Sequence, residues 1–331
     1  MKQRTHAWLA VGAIALLEES GEADNLVKLI APHAKTAAIG AWLPDLNDAK
    51  AGFGSLDNHV LKMEVYAGAL PERFTMSREV LIDHLGADRK VTELIGDENA
   101  LNNDWWSTPY RADPPPGKHL ANRAMAFATM IVDLMILGDS KVDQFVPGKI
   151  GFVEDMDKQA LTRKEQLATY FFMLSHFIAD ACMPCHCDAR KLSAYDHGVH
   201  KVLESRWNTK ITTYFEKDKI LASTAKASVV INKAREIWKS LDITFAEGVP
   251  DLHEGHDTWL DTIYVCRASH ALANIIVPYR DFPHNTDELP ALLDLCPGNT
   301  GEERLKGFDR TILHDAILNI AMTWKHIWGK L

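Results

Sequence analysis

The stretch Ser175–Asp188, SHFIADACMPCHCD, carries two histidines, two aspartates and three cysteines at the end of an apolar helical pattern. His176 and Asp180 are four residues apart, so they project from one face of a helix, one turn apart. Pro184 lacks an N–H and its ring crowds the carbonyl group of Asp180, so the helix is predicted to end or kink just past that residue. His186 can then approach the same pocket from another side. This spacing suits two metal ligands on a helix and one on the turn that follows it.

A second group of candidate ligands lies in the segment YDHGVHKVLESRW. His200 and Glu204 again stand at i, i+4, and His197 lies one turn earlier. A single pair of this kind is usually a surface ion pair. Both pairs, however, sit in apolar sequence, where a buried carboxylate without a partner costs several kcal/mol that a bound metal ion would offset. Taken together, the two pairs favour a metal site.

Three further candidates come from the first sixty residues. Asp45 follows a proline in GAWLPDLND, and His59 lies in LDNHVLK. His6 follows Thr5, which is predicted to be an N-cap and to place His6 in the first turn of the opening helix. A single buried histidine is more often hydrogen-bonded in a core than bound to a metal. These residues are therefore credible metal ligands only in combination with the two pairs.

The cysteines allow a different kind of site. Cys182, Cys185 and Cys187 lie within CMPCHC, and Cys266 or Cys296 could complete a zinc or iron–sulfur site. A second CxxC motif is missing, which weakens that hypothesis. The total of five cysteines is odd and does not indicate a disulfide framework. We therefore expect small, buried, reduced thiols around a His/Asp site, in a reducing compartment.

Helices must position these residues, because helical periodicity dominates the chain and strand-like alternation is scarce. The predicted helices are Thr5–Glu19, Asn25–Ala34, Leu120–Leu137, Arg163–Ala181, Asp196–Glu216, Ala222–Leu241, Thr258–Tyr279 and Glu303–Trp328. The most irregular segment is 86–117, which includes DWWSTPYRADPPPGK and does not resemble a linker. The expected architecture is a single all-α, multi-helix domain over residues 1–331, with an insertion around residues 86–117.

Composition excludes some classes of partner. The net charge of −9 argues against a sequence-independent grip on nucleic acid, so no stable nucleic-acid partner is expected. No apolar run reaches the roughly 20 residues of a transmembrane segment. The start MKQRTHAWLAVGAIALLEES imitates a signal peptide, but EESGEAD after it offers no convincing cleavage site. It is predicted to be the first core helix of a cytoplasmic protein, with export as the alternative.

The order of these motifs resembles a known superfamily. His6 in the opening helix, then GAWLPD, NH, HFIADACMPCH and HKVLE, is similar to the zinc-dependent phospholipase C and S1/P1 nuclease superfamily, closest to the bacterial zinc-dependent phospholipase C group. The likeness covers about Thr5–Trp207. It implies an all-α domain of the phospholipase C/P1 nuclease type, in which two or three Zn²⁺ ions hydrolyse phosphate esters with a zinc-bound hydroxide.

The resemblance also implies which residues bind zinc. Carried over position by position, the ligands are Asp45, His59, His176 and Asp180 for one ion, His186, His200 and Glu204 for a second, and Asp180 with His6 for a third. Histidine nitrogen and carboxylate oxygen both suit Zn²⁺. Asp45 is also expected to stand beside the attacking water as a general base. Secreted relatives use the amine of their first residue on the third zinc, and here Met1 stands five residues before His6.

The interval from His59 to His176 is much longer than in the secreted enzymes. It holds four side chains that belong either to an ordinary surface loop or to a lid over the substrate: Trp105, Trp106, Tyr110 and Arg111. The GAWLPD and NH motifs favour a phospholipid or a related phosphodiester as substrate. A single-strand nuclease or 3′-nucleotidase of the S1/P1 type is the alternative.

Two other classes of protein remain. An HD-type phosphohydrolase needs an adjacent His-Asp pair, and His256-Asp257 and His314-Asp315 qualify, although such pairs arise easily by chance among 15 histidines. A ferritin-like di-iron site would need Glu-x-x-His, which the chain does not contain. The other alternative is a non-catalytic helical metal-binding protein.

Overall fold

The computed structural model describes residues 1–45, 59–61, 120–136, 163–188, 199–212, 226–276 and 301–330. Within these ranges the protein is mostly helical and contains no β-strand, so the predicted all-α fold is confirmed. The α-helices are α1 (Gln3–Ser20), α2 (Asp24–Ile30), α3 (Ala37–Gly40), α4 (Leu120–Ile136), α5 (Arg163–Ala181), α6 (Pro184–Cys187), α7 (Val199–Thr212), α8 (Ala227–Ser240), α9 (Thr258–Ile276) and α10 (Gly301–Trp328). Two 3₁₀ helices lie at Ala31–Thr36 and Leu43–Asp45.

Helix α1 lies at the centre of the described helices and packs against α5, α7, α8 and α10. Every residue of Thr5–Leu17 is buried, which explains why this helix is apolar on all sides. Trp8 donates its indole N–H to the carbonyl group of Ala234 in α8 at 3.2 Å. Gly12 lets α10 approach, because a Cβ atom there would lie 3.0 Å from Ile317. The opening segment is therefore a core helix, as predicted.

The start of α1 differs from the prediction. The helix begins at Gln3, and Lys2 before it is extended and makes no side-chain cap. The expectation that Thr5 is the N-cap is therefore wrong. The physical reason is tertiary, since the Lys2 ammonium group donates to the hydroxyl of Ser205 in α7 at 2.9 Å and draws the chain start onto the bundle. His6 still lies in the first turn, and its main-chain N–H donates to the carbonyl group of Lys2 at 3.1 Å.

The end of α5 agrees with the prediction. The helix stops at Ala181, one residue after Asp180, and Pro184 opens the short helix α6, where its missing N–H does no harm. The predicted helix over 25–34 is instead α2 followed by a 3₁₀ helix, because Pro32 cannot bond to the carbonyl group four residues earlier. Helix α8 starts later than predicted, because Lys226 is extended.

In the part of the chain that the structure describes, no helix combines the length and the apolarity that a bilayer crossing requires. The predicted insertion at 86–117, with its aromatic residues, lies outside the described residues.

Candidate metal centre

The eight predicted ligands converge on one cluster, although they come from six segments of the chain. Helix α5 contributes two of them, α7 two more, and α1, α6, the second 3₁₀ helix and the short stretch 59–61 contribute one each. The last stretch is fastened beside α6, because the N–H of Leu61 donates to the carbonyl group of His186 at 3.1 Å. The residues are His6, Asp45, His59, His176, Asp180, His186, His200 and Glu204.

Asp180 is the centre of the cluster and is only 1% exposed. Its Oδ2 lies 3.0 Å from Nδ1 of His59 and 3.1 Å from Nε2 of His176. Its Oδ1 lies 3.3 Å from Nδ1 of His186 and 3.5 Å from Nε2 of His6. One buried carboxylate is therefore surrounded by four imidazole rings.

The cluster continues from Asp180 through His186 to helix α7. Nε2 of His186 lies 3.0 Å from Nε2 of His200, which lies 2.9 Å from Oε1 of Glu204. The side chains of His200 and Glu204 are 24% and 15% exposed, so this end of the cluster reaches the surface. The two i, i+4 pairs of the sequence thus belong to one continuous group of side chains.

Three sets of side chains in the cluster could each hold a metal ion, because their ligand atoms lie within 4.8 Å of one another. The sets are His6, Asp45 and His176; His59, His176 and Asp180; and His186, His200 and Glu204. The expected first set placed Asp45 with His59, whereas here Asp45 groups with His6 and His176. The Asp45 carboxylate is nevertheless 3.9 Å from Nδ1 of His59.

A main-chain carbonyl group orients His176. Nδ1 of this ring lies 2.7 Å from the carbonyl oxygen of Ala41, which can only accept, so Nδ1 carries the proton. Nε2 of the same ring faces the carboxylate of Asp180. Two electron-rich atoms at 3.1 Å repel unless a proton or a cation lies between them. A carbonyl partner on the second nitrogen is the usual arrangement of a metal-binding histidine.

The glycine before Ala41 allows this contact. A Cβ atom on Gly40 would lie 2.8 Å from Cβ of Phe172 in α5, closer than side chains pack. Only glycine therefore lets the end of α3 approach α5 closely enough for the Ala41 carbonyl to reach His176. Sequence reasoning missed this role of Ala41, although the glycine in GAWLPD marks the close approach.

Protonation within the cluster suits metal binding. Burial lowers the pKa of His186 to about 3 and that of His6 well below its usual range. Burial alone would raise the pKa values of Asp180 and Glu204, but the positive charge on the Met1 amine holds both well below their usual range. Metal ligands need these forms, with neutral imidazole and charged carboxylate.

The α-amino group of Met1 lies between two of the carboxylates, at 3.1 Å from Asp180 and 2.9 Å from Glu204. Burial alone would lower the pKa of this amine, but the two carboxylates raise it to about 11. An ammonium group therefore supplies positive charge at the point where the cluster has the most negative charge. A metal ion meets the same electrostatic need.

His6 gives a second indication of fit. Its ring stacks on His176 with the centroids 3.8 Å apart, yet neither ring nitrogen has a hydrogen-bond partner within the described ranges. Buried polar atoms are normally bonded, so such a ring needs an explanation. Membership of a ligand set provides one, because a metal ion would satisfy the lone pair.

Comparisons of the chain with protein families, curated proteins and solved structures found no match. The geometry of the side chains is therefore the evidence for a candidate metal centre. The buried His/Asp cluster could hold a metal ion, and its donors are nitrogen and oxygen.

The alternative motifs do not join the cluster. Within the described residues, neither His256-Asp257 nor His314-Asp315 belongs to a ligand set. The ring of His314 instead stacks on Phe245 at 4.8 Å, which is core packing.

The described cysteines behave as predicted. They are buried, form no disulfide and belong to none of the ligand sets found in those parts of the chain: Cys182, Cys185, Cys187 and Cys266. Cys296 and His197 lie outside the described residues.

Proposed function

We propose that this protein is a zinc-dependent phosphoric ester hydrolase that cleaves phosphodiesters as a phospholipase C does, on a fold of the phospholipase C/P1 nuclease type. One observation carries this proposal. Asp180 belongs to one ligand set and its Oδ1 lies 3.3 Å from Nδ1 of His186 in another, so the two sets adjoin at this carboxylate. Adjacent metal ions of this kind clamp the attacking and leaving oxygens of a phosphoryl group.

The ligand atoms support zinc in a catalytic rather than a structural role. Nitrogen and oxygen donors without sulfur are typical of catalytic zinc sites, whereas structural sites use cysteine. The proposed ligands are His59, His176 and Asp180 for one ion, and His186, His200 and Glu204 for a second. His6 and Asp45 lie next to the first set, where they form a ligand set with His176. Zinc ions bound here would lower the pKa of water towards neutrality and neutralise the phosphoryl oxygens.

Asp45 is the residue we propose as general base. Its side chain is 33% exposed, more than any other member of the cluster, and its Oδ1 lies 3.6 Å from Nε2 of His176. A carboxylate at the open edge of the site can take the proton of the water that attacks phosphorus. The bond from phosphorus to the alcohol oxygen then breaks, and that oxygen takes up the proton held by Asp45 or one from solvent, which leaves a phosphate monoester and an alcohol.

For the substrate we propose a phospholipid or a related phosphodiester. The support is the likeness of GAWLPD and the following NH to the bacterial phospholipase C group. An S1/P1-type nuclease would use the same metal ligands, so the cluster itself does not separate the two.

A side-by-side assay tests the proposal. Protein stripped with a chelator and reloaded with zinc is given phosphatidylcholine, single-stranded DNA and a 3′-nucleotide. We expect release from the lipid, no turnover before reloading, and a loss of roughly 100-fold or more in kcat for Asp45→Asn. Asp133→Asn, an exposed aspartate on α4, is the matched control and should retain full activity.

Each other outcome has a distinct meaning. Cleavage of only the nucleic-acid substrates would replace the lipid with a nuclease substrate. Zinc binding without turnover of any substrate would favour the non-catalytic metal-binding protein.

A further inference from the structure

We infer that Asp309 is a positioning residue that sets the rotation of helix α7 and thereby holds the ligands His200 and Glu204 in place for metal binding. This inference rests on the metal centre proposed above. Asp309 lies on α10 and contacts none of the ligands, so it would act through the helix that carries them.

Among the described residues, the polar contacts of the Asp309 side chain all lead to α7. Its carboxylate is only 2% exposed and accepts three hydrogen bonds from that helix. Oδ1 accepts from the indole N–H of Trp207 at 2.6 Å. Oδ2 accepts from the Arg206 guanidinium at 2.6 Å and from the Lys210 ammonium group at 2.7 Å. A single buried carboxylate therefore fastens two consecutive turns of α7 to α10.

The apolar face of α7 cannot fix its rotation by itself. Leu203, Trp207 and Ile211 are completely buried and form a stripe against the core. Apolar burial has little directional preference, so such a stripe tolerates a small rotation or slip. Hydrogen bonds are directional and lose their strength when their angles change. The three bonds to Asp309 therefore supply a directional restraint from α10, in addition to the bond that Lys2 donates to Ser205.

The ligands lie close enough to this restraint to depend on it. Glu204 is three residues before Trp207, a rise of about 4.5 Å along the helix, and His200 is one turn further. With side chains the helix has a radius of about 5–6 Å, so a rotation of about 20° would move a ligand atom by roughly 2 Å. Metal–ligand distances tolerate only about ±0.2 Å.

Charge makes the loss of Asp309 consequential. Arg206 and Lys210 are 17% and 28% exposed, and both place a positive charge beside the Asp309 carboxylate. In Asp309→Asn the two cations repel each other without their shared anion, and an NH₂ group replaces one of the two accepting oxygens. Movement of α7 towards solvent would relieve both of these unfavourable interactions.

The test measures the zinc affinity of each site in the folded protein, by competition with a chromogenic chelator. In Asp309→Asn we expect the zinc affinity of the site formed by His200 and Glu204 to fall by about 10–100-fold, which is the usual effect of losing a residue that orients metal ligands. The zinc affinity of the other site should not change. In a His200→Ala background the same substitution should have no further effect.

Two further variants exclude a general loss of stability. Lys325→Met removes the ion pairs that another α10 side chain makes with Glu22 and Asp251, sixteen residues and about 24 Å away, and should leave both affinities unchanged. If Asp309→Asn does not fold, Lys210→Met keeps two of the three bonds and should weaken the same site to a smaller extent.

Unchanged affinity at the His200 site would overturn the inference, as would a weakening that persists in the His200→Ala background. Absence of zinc binding by the unmutated protein would overturn this inference together with the proposed function. Zinc binding without hydrolysis would overturn the proposed function alone, and the comparison of affinities would still decide the role of Asp309.

Discussion

Replacing Asp180 with asparagine challenges the metal centre most directly, because this carboxylate contacts members of every ligand set. The substitution keeps the size of the side chain but removes its charge and half of its acceptor capacity. Zinc should therefore stabilise the variant much less than it stabilises the unmutated protein. The zinc-dependent change in melting temperature measures this difference.

The expected size follows from the number of sites and the length of the chain. Zinc at a thousandfold excess over its Kd stabilises the fold by about 4 kcal/mol per site. The entropy of unfolding is about 2.1 cal/mol/K per residue, or roughly 0.7 kcal/mol/K for 331 residues. Each filled site should raise Tm by about 6 °C, and two filled sites by about 12 °C.

In Asp180→Asn we expect this increase to fall by half or more, with at least one zinc ion missing per chain by metal analysis. Asp315→Asn is the matched control, since Asp315 is buried to a similar degree and lies outside the ligand sets. It should change the baseline Tm and keep the zinc-dependent increase. A full increase and full zinc content in Asp180→Asn would refute the reasoning.

Two other predictions concern the scaffold. Gly40→Ala should destabilise the protein by about 1–3 kcal/mol in urea unfolding, because the added methyl group would overlap Phe172; an unchanged midpoint would contradict the close approach. For Glu22, the hydrogen bond from Lys325 is the main cause of a lowered pKa, so the pair adds stability above the usual value of 4.5 that is lost as the pH falls. Lys325→Met should therefore flatten the decline of Tm between about pH 6 and pH 3, and parallel curves for the two proteins would show that the pair contributes nothing.

The spacing of residues in the sequence correctly predicted the features that depend on the geometry of a single helix. His176 and Asp180 could be placed on one face because the helical repeat is a property of the backbone. The end of α5 was predictable because the ring of Pro184 conflicts with a specific carbonyl group. That α1 is a core helix was predicted because its apolar sequence resembles a signal peptide but is followed by no convincing cleavage site.

Contacts between distant parts of the chain could not be predicted in this way. The bond from His176 to Ala41 spans 135 residues, and the one from Asp180 to the Met1 amine spans 179. No periodicity encodes either of them, because they depend on how helices pack. The N-cap prediction was wrong for the same reason. The preference of threonine for the N-cap position was outweighed by the contact of Lys2 with Ser205 in α7.

The central position of α1 has a consequence for how the chain folds as it is made. Its partner α10 follows about 300 residues later, which at 5–20 residues per second takes roughly 15–60 s of synthesis. During that time the apolar helix α1 lacks the surface of α10 that covers it in the folded protein. The candidate ligand His6 on α1 is likewise synthesised long before its neighbours on α5. We therefore expect newly made chains to depend on chaperones that hold α1, and to acquire metal only late in synthesis.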